Sequence, residues 1–444
     1  MGRCAVSTQK QKRPFALRAL AAFAGTLAIL FVLLLAAYAL PGERVRQHVY
    51  DSARTIQNEG LYPEYLGFKL FQMDNYTDTL MLFEAASADE LPPLQAMMTN
   101  TAYNVDNFET LADDLAWYIE KDWSTGAQRT DAPALEPFSY ARYWHGYLIW
   151  LRPLLLLMPY TGVRIVQYIV LFALLAVVLV QLRRRCGLWA AVWFAVSQLA
   201  VSVWFVPHQV QYFTCFMIAY AGCAWVLAKP RRSDVLCLGL LVLGTATAFC
   251  DLLVTPIITL GLPLTCWLLE PQQRLRGGAP QCALAVGGSL CWGTGYALCW
   301  AGKWALAGAV TNNNVLADAL HQAEVRTTAD TWHGMELTWR NIFIFLYDTL
   351  NSHHLFWPAL AVLAVLIALF ILSIRSKTAL VRALPLALTS CMTPAWFVLL
   401  RTHSIQHGWF TWRALGLTVF AGLAFLYYAC DLRAARRRLQ KGSI

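Results

Sequence analysis

Asp74 and Asp78 stand four residues apart in the stretch Gln72-Met73-Asp74-Asn75-Tyr76-Thr77-Asp78. On a helix that spacing puts both carboxylates on one face. A carboxylate within hydrogen-bond reach of a hydroxyl, in a partly dry site, can take its proton as a general base. Asp74 is the first candidate for that role and Asp78 the second; the plainer reading of the pair is a solvated helix face in an acidic loop. Asp113-Asp114, ahead of Leu115-Ala116-Trp117-Tyr118, reads as part of an ordinary amphipathic helix over 111–123. Asp251 falls between two apolar runs, where an acid is costly and marks either a functional site or the cap of the following helix.

Cations and aromatics gather in three other places. Ser139-Tyr140-Ala141-Arg142-Tyr143-Trp144-His145-Gly146-Tyr147 sets Arg142 and His145 among four aromatic side chains, with Arg152 and Arg164 following. Lys303 stands between Trp300 and Trp304, and Arg326 comes later in the same polar segment. The stretch from Arg401 to Arg413 holds His403 and His407 between its two arginines. Guanidinium groups bind phosphate through paired charge-assisted hydrogen bonds. Tyr and Trp also settle at the headgroup level of a bilayer, and a long cation can snorkel to the surface, so each cluster has an anchoring alternative. Two His four apart suggest a metal, but no acid follows at ligand spacing and HExxH is absent. The 12 cysteines form no CxxC pair, and none lies between Pro41 and Tyr147, so buried thiols fit better than a disulfide framework.

The elements that must hold these residues are membrane helices. Of the 444 residues 58% are apolar and only 14% charged, well under the roughly 25% charged of a soluble domain. Ten apolar runs are near the roughly 20 residues that span hydrocarbon: about 16–40, 163–182, 188–206, 210–228, 235–250, 252–269, 281–300, 354–374, 380–400 and 410–430. The first is too long for a signal-peptide core and reads as a retained span. The run 147–158, short and carrying Arg152 and Pro153, reads as an interfacial or re-entrant helix on the outer side. The fold expected is therefore all-α and polytopic, with about ten transmembrane helices and one integral membrane domain over 1–444. Orientation follows from charge. The two tails with Arg18, 183–187, 229–234, 270–280 and 375–382 collect 21 of the 35 Lys and Arg but 3 of the 26 Asp and Glu. That places both ends inside. A first external loop, 41–146, then carries 17 acidic and 7 basic residues, and a second covers 301–353. With charge so distributed, the net +9 points to membrane topology and not to nucleic acid.

The long acidic loop directly after the first span resembles that of the GT-C superfamily of membrane glycosyltransferases. So do the Arg142-to-Gly146 segment leading into a non-spanning helix, Arg164 opening the next span, and the arginine cluster closing it. The later segments, Gly295-Tyr296 through Trp304, Asp251 through Pro256 and His403 through Arg413, look like those of bacterial membrane proteins of the same general type. The resemblance implies an inverting glycosyltransferase of the cell membrane that moves a sugar from a polyprenyl-phosphate donor to a glycan or lipid acceptor on the outer face. Asp74 or Asp78 would serve as base. Arg142, His145, Arg152, Asp251, Lys303, Arg326, His403, His407 and Arg413 would face the substrates. No cofactor is implied, with a divalent metal left open. One departure stands out: many members carry an acidic pair soon after the first span, whereas here the pair lies over 30 residues downstream. A transporter or flippase for lipid-linked sugars or solutes, and a glycan polymerase or ligase, are the alternatives.

Overall fold

The structure, a computed structural model, describes residues 14–88, 90–103, 137–328, 331–332 and 335–431. Asp113 and Asp114 lie outside the described residues. Ten apolar helices are numbered in chain order. They are Phe15–Tyr38 (α1), Tyr160–Cys186 (α2), Leu188–Ala200 (α3), Val210–Ala228 (α4), Ser233–Cys250 (α5), Ile257–Leu268 (α6), Ala279–Thr311 (α7), Phe356–Ser373 (α8), Lys377–Leu399 (α9) and Gly408–Ala429 (α10). Among the described residues eight are long and apolar enough to cross a membrane; α3 and α6 are shorter. This is an all-α chain with the architecture of a multi-pass membrane protein. A backbone in hydrocarbon must satisfy its own hydrogen bonds, which helices do. The side chains agree: α8 turns Trp357, Leu363, Val365 and Ile371 outward, a surface that only lipid tolerates at this extent. By contrast α4 is 78% buried and forms the middle of the bundle.

Where the chain departs from the expected spans, a local cause is visible. The third helix stops at Ala200 instead of running to 206, because Ser202 is left-handed and a 3₁₀ turn, Val203–His208, carries Pro207. Before α6, residues 251–256 form a non-helical turn with Leu253 at φ +68°. α7 runs to Thr311, so the segment 301–353, expected to be the second external loop, starts with its last turns. That segment continues with Val315–Thr328, a small hairpin pairing Thr331–Trp332 with Met335–Glu336, and Ile344–Ser352.

The short run expected to be interfacial or re-entrant forms the helix Leu148–Leu155, one face of which packs into the bundle. Leu148, Leu151, Arg152 and Leu155 are all buried. Arg152 donates to the carbonyls of Ala37, Tyr38 and Leu40, at 2.9, 3.1 and 3.0 Å. These carbonyls lie at and just past the end of α1, where helical partners run out, and a cation there also meets the negative end of the helix dipole.

Close packing of the span pairs rests on glycine. A Cβ at Gly244 of α5 would collide with the Trp292 carbonyl of α7, and one at Gly295 of α7 with the Leu241 carbonyl of α5. Small residues let two membrane helices approach backbone to backbone. That close approach fixes the C-terminal half of α7, on which the candidate site is built.

At one end of the bundle sits the described part of the segment between α1 and α2, expected to be the first external loop. Its helix Glu43–Glu59 buries Val45, Val49, Ala53 and Ile56, one face at helical spacing. Asn75–Ser87 and Pro93–Thr99 follow, and Thr101–Tyr103 pairs antiparallel with Pro137–Ser139. This pairing delivers the chain to Tyr140 and the aromatic segment.

Candidate functional site

α7 presents Trp292, Tyr296, Trp300 and Trp304 at intervals of four residues. One face of the helix thus becomes an aromatic ridge, with successive ring centroids 4.8, 5.0 and 5.9 Å apart. Against its C-terminal half stands a cavity of about 130 Å³. Tyr143, Leu253, Tyr296, Trp300, Trp304 and Trp396 supply apolar walls, and Arg142 and Arg326 supply charge. Arg326 donates to the Tyr143 hydroxyl. Arg142 lies 4.5 Å from the Tyr140 ring centroid and pairs with Asp318 at 3.2 Å. The Tyr296 hydroxyl, the Trp300 indole N–H and the Arg142 Nε are buried without a protein partner. All three can donate, and an unpaired buried donor is costly. The lining therefore suits a ligand rich in acceptor oxygens, with an apolar body for the aromatic wall.

The segment from Tyr140 to Tyr147 holds this wall in place. Trp144 stacks on Phe249 at 4.7 Å and donates to the Cys299 carbonyl at 2.8 Å. Gly146 leaves no room for a side chain against Phe249, and its N–H donates to the Phe249 carbonyl at 2.8 Å. His145, at φ +55°, faces the Tyr140 carbonyl through Nε2 at 3.0 Å and Glu84 through Nδ1 at 2.7 Å. It is a buried brace and does not line the cavity.

Lys303 also turns inward. Its Nζ donates to the Met97 and Met98 carbonyls at 2.7 and 3.3 Å and to the Asn100 side chain at 2.6 Å, closing the end of helix Pro93–Thr99. Neither Lys303 nor Arg152 faces the cavity.

Asp74 and Asp78 form a second cluster where two helix N-termini meet. Asp74 caps Asn75–Ser87, accepting from the Thr77 N–H and hydroxyl, both at 2.9 Å. Its own N–H donates to the Gln209 side chain at 2.8 Å. Asp78 accepts from the Tyr160 hydroxyl and from the Val210 and Gln211 N–H groups, both at 3.4 Å, at the start of α4. An anion there meets the positive end of the helix dipole. Burial pushes Asp78 up to about 7, against the Tyr160 hydrogen bond and the Arg164 charge. Burial likewise raises Asp74, opposed by its hydrogen bonds from Thr77. Nearby Glu59 goes the other way: burial favours its neutral form, but hydrogen bonds and charge from His208 and Arg164 prevail and hold it at about 2.

Arg413 belongs to this cluster. It donates to the carbonyls of Trp409, at 2.8 Å, and Leu70, at 3.4 Å, and lies 4.5 Å from the centroid of the Tyr212 ring, whose hydroxyl is within electrostatic reach of Arg413 and of both aspartates.

His403 and His407 connect the two clusters. His403 Nε2 meets the carbonyl of Leu253, a cavity residue, at 2.9 Å. The rings of His403 and His407 are 4.7 Å apart, and His407 is 5.3 Å from Trp409, which adjoins Asp74. Burial, mutual proximity and Arg326 lower His403 well below the ordinary value. Burial and Arg326 take His407 down to about 4. In this ligand-free site both shifts favour the neutral imidazole. With its proton on the Nε2 that donates to Leu253, His403 keeps a bare acceptor at Nδ1, which has no protein partner. Asp251 is held in its own turn, accepting from the Val254 N–H at 3.0 Å, and burial pushes it up to about 7. Among the described residues no three of His, Cys, Asp and Glu assemble in a way that could hold a metal ion.

Of the residues singled out in the sequence, Arg142 and Arg326 line the cavity. Asp74, Asp78 and Arg413 all lie around Tyr212; His403 and His407 lie between the two clusters. His145, Arg152, Asp251 and Lys303 are committed to local structure. Tyr296, Trp300, Trp304 and Trp396 are added by the structure, and the four-residue aromatic spacing on α7 was the signal available for three of them. Compared with protein-family models, with curated proteins and with solved structures, the chain finds no match.

Proposed function

We propose that this chain is a glycosyltransferase of the cell membrane, taking a sugar from a polyprenyl-phosphate carrier and passing it to a hydroxyl of a glycan or lipid acceptor on the outer face. One observation carries the reading: two guanidinium groups and unpaired N–H and O–H donors stand at the mouth of an aromatic trough. The carrier phosphate lies against Arg142 and Arg326, the sugar hydroxyls face Tyr296 and Trp300, and the isoprenoid chain leaves along Trp304 and Trp396. In this reading the acceptor oxygen attacks the anomeric carbon, and the bond from that carbon to the phosphate oxygen breaks. The phosphate leaves with the electron pair, the acceptor proton passes to a carboxylate, and the anomeric centre inverts. Asp74 and Asp78 are the carboxylates assigned to that proton. Neither lines the cavity, so the acceptor must enter through the layer formed by His403, His407 and Trp409.

Binding tests the assignment without requiring the acceptor. Purified protein should bind a polyprenyl phosphate and discriminate against the corresponding polyprenol. Arg326→Gln should weaken the phosphate form by about tenfold or more, since a hydrogen bond to a charged group contributes roughly 1.5–3 kcal/mol. Equal binding of polyprenol and polyprenyl phosphate by the wild-type protein would remove the basis for the proposal.

A further inference from the structure

We infer a second site for a lipid phosphate at the opposite end of the same bundle, in a cavity of about 400 Å³ walled by Arg274, Arg375 and Arg382. α7 measures the separation. Gln281, at its start, borders this cavity, whereas Tyr296 and Trp300 border the outer one. At 1.5 Å per residue the 19 steps from Gln281 to Trp300 span roughly 28 Å, close to the hydrocarbon thickness of a bilayer. The two cavities thus sit at opposite membrane faces.

Three features argue for an anionic lipid headgroup. The walls contain three guanidinium groups and, among the described residues, no carboxylate. The acid closest in sequence, Glu270, is already paired with Arg185 at 3.0 Å. Arg274 is only partly committed: it donates to the Tyr428 hydroxyl at 2.5 Å while its Nε is buried without a protein partner. Arg382 is exposed at the rim, and the Gln281 amide is held by Gln273 at 3.1 Å. Between these polar groups the wall is apolar, formed by Leu268 of α6 and by Pro385 and Leu386 of α9. Cations ringed around an apolar cleft between membrane helices match a phosphate that carries a hydrocarbon chain. Like charges so close repel, and an anion between them offsets the repulsion. Free phosphate would use the cations and leave the apolar wall idle.

The test uses full-length protein in neutral detergent with defined additions: phosphatidylcholine, phosphatidylglycerol, a polyprenyl phosphate, or inorganic phosphate. Retained lipid is counted by native mass spectrometry and thermal stabilisation is recorded. The anionic lipids should be retained and should stabilise, whereas phosphatidylcholine and inorganic phosphate should not. Arg274→Gln with Arg382→Gln should weaken retention by about tenfold or more, and Arg382→Gln alone, at an exposed position, should do so in part. Retention should survive Arg142→Gln with Arg326→Gln, which separates this site from the outer one. Preference for phosphatidylglycerol assigns a bulk lipid, and preference for polyprenyl phosphate assigns the carrier. Anionic-lipid retention unchanged in both the double variant and Arg382→Gln, or inorganic phosphate protecting as well as either lipid, overturns the proposal.

Discussion

Asp78 sits where a carboxylate is pulled two ways. The start of α4 and the Tyr160 hydroxyl favour its charge, and burial opposes it more strongly, so its value rises from 3.8 to about 7. The folded protein therefore holds this proton more tightly than the unfolded chain does. Its contribution to stability is complete below about pH 4 and is lost as pH rises toward 7. His407, lowered to about 4, gives the opposite slope between pH 4 and 6.5, and Asp251 adds one of the same sign as Asp78. The difference between wild type and Asp78→Asn isolates the one group. Melting temperatures from pH 4.5 to 7.5 should show the variant gaining on wild type as pH rises; parallel curves would mean that Asp78 does not titrate there. At this scale the sequence was partly legible. It supplied the aspartate pair at helical spacing and the aromatic-cationic clusters. It did not reveal that Lys303 and Arg152 point inward, because a long cation can as well snorkel to the surface, and tertiary contacts make the choice. Asp251 is expected either at a functional site or as the cap of the following helix; that helix has Pro256 at its N-cap with no side-chain cap, and Asp251 accepts from the Val254 N–H within the turn before it.

Helix ends explain where most of the polar residues went. Arg152 closes α1, Lys303 closes Pro93–Thr99, and Asp74 opens Asn75–Ser87. Each meets backbone groups that a helix terminus leaves open. Lys303→Met removes three hydrogen bonds at once, to two buried carbonyls and to the Asn100 Oδ1. At roughly 1–3 kcal/mol for a buried unsatisfied group, the variant should lose several degrees of thermal stability while keeping polyprenyl-phosphate affinity near wild type in the fraction that folds. Lost affinity at wild-type stability would return Lys303 to the binding site. Periodicity located the apolar elements, but not their ends at Ala200 and Thr311. Those ends depend on the left-handed Ser202, on Pro207, and on α7 packing its last turns beneath the external segment.

The whole chain shows a polar asymmetry that the helices alone do not orient. Arginine clusters at 183–185, 231–232, 274–276 and 375–382 mark one end, and the acidic loop marks the other. The expected arrangement puts both termini in the cytoplasm. Fusions at Ile444 should report cytoplasmic, whereas a tag between Asn104 and Glu136 should be accessible from outside intact cells; the reverse would place the aromatic cavity on the inner face. The polytopic, all-α class was readable from composition, because the scarcity of charge leaves no alternative to burial in lipid. The assembly of the cavity was not, since its walls come from residues as distant as Arg142 and Trp396. The central claim is that this cavity delivers a lipid-borne sugar for transfer. The most direct test supplies purified protein with polyprenyl-phosphate sugar labelled in the sugar and an extract of envelope glycans and lipids. The account predicts label transfer with inverted anomeric configuration, falling by two orders of magnitude or more in Arg142→Gln with Arg326→Gln and in Asp74→Asn with Asp78→Asn. Undiminished transfer in both double variants, or movement of intact carrier across the membrane with no label released from it, would contradict it.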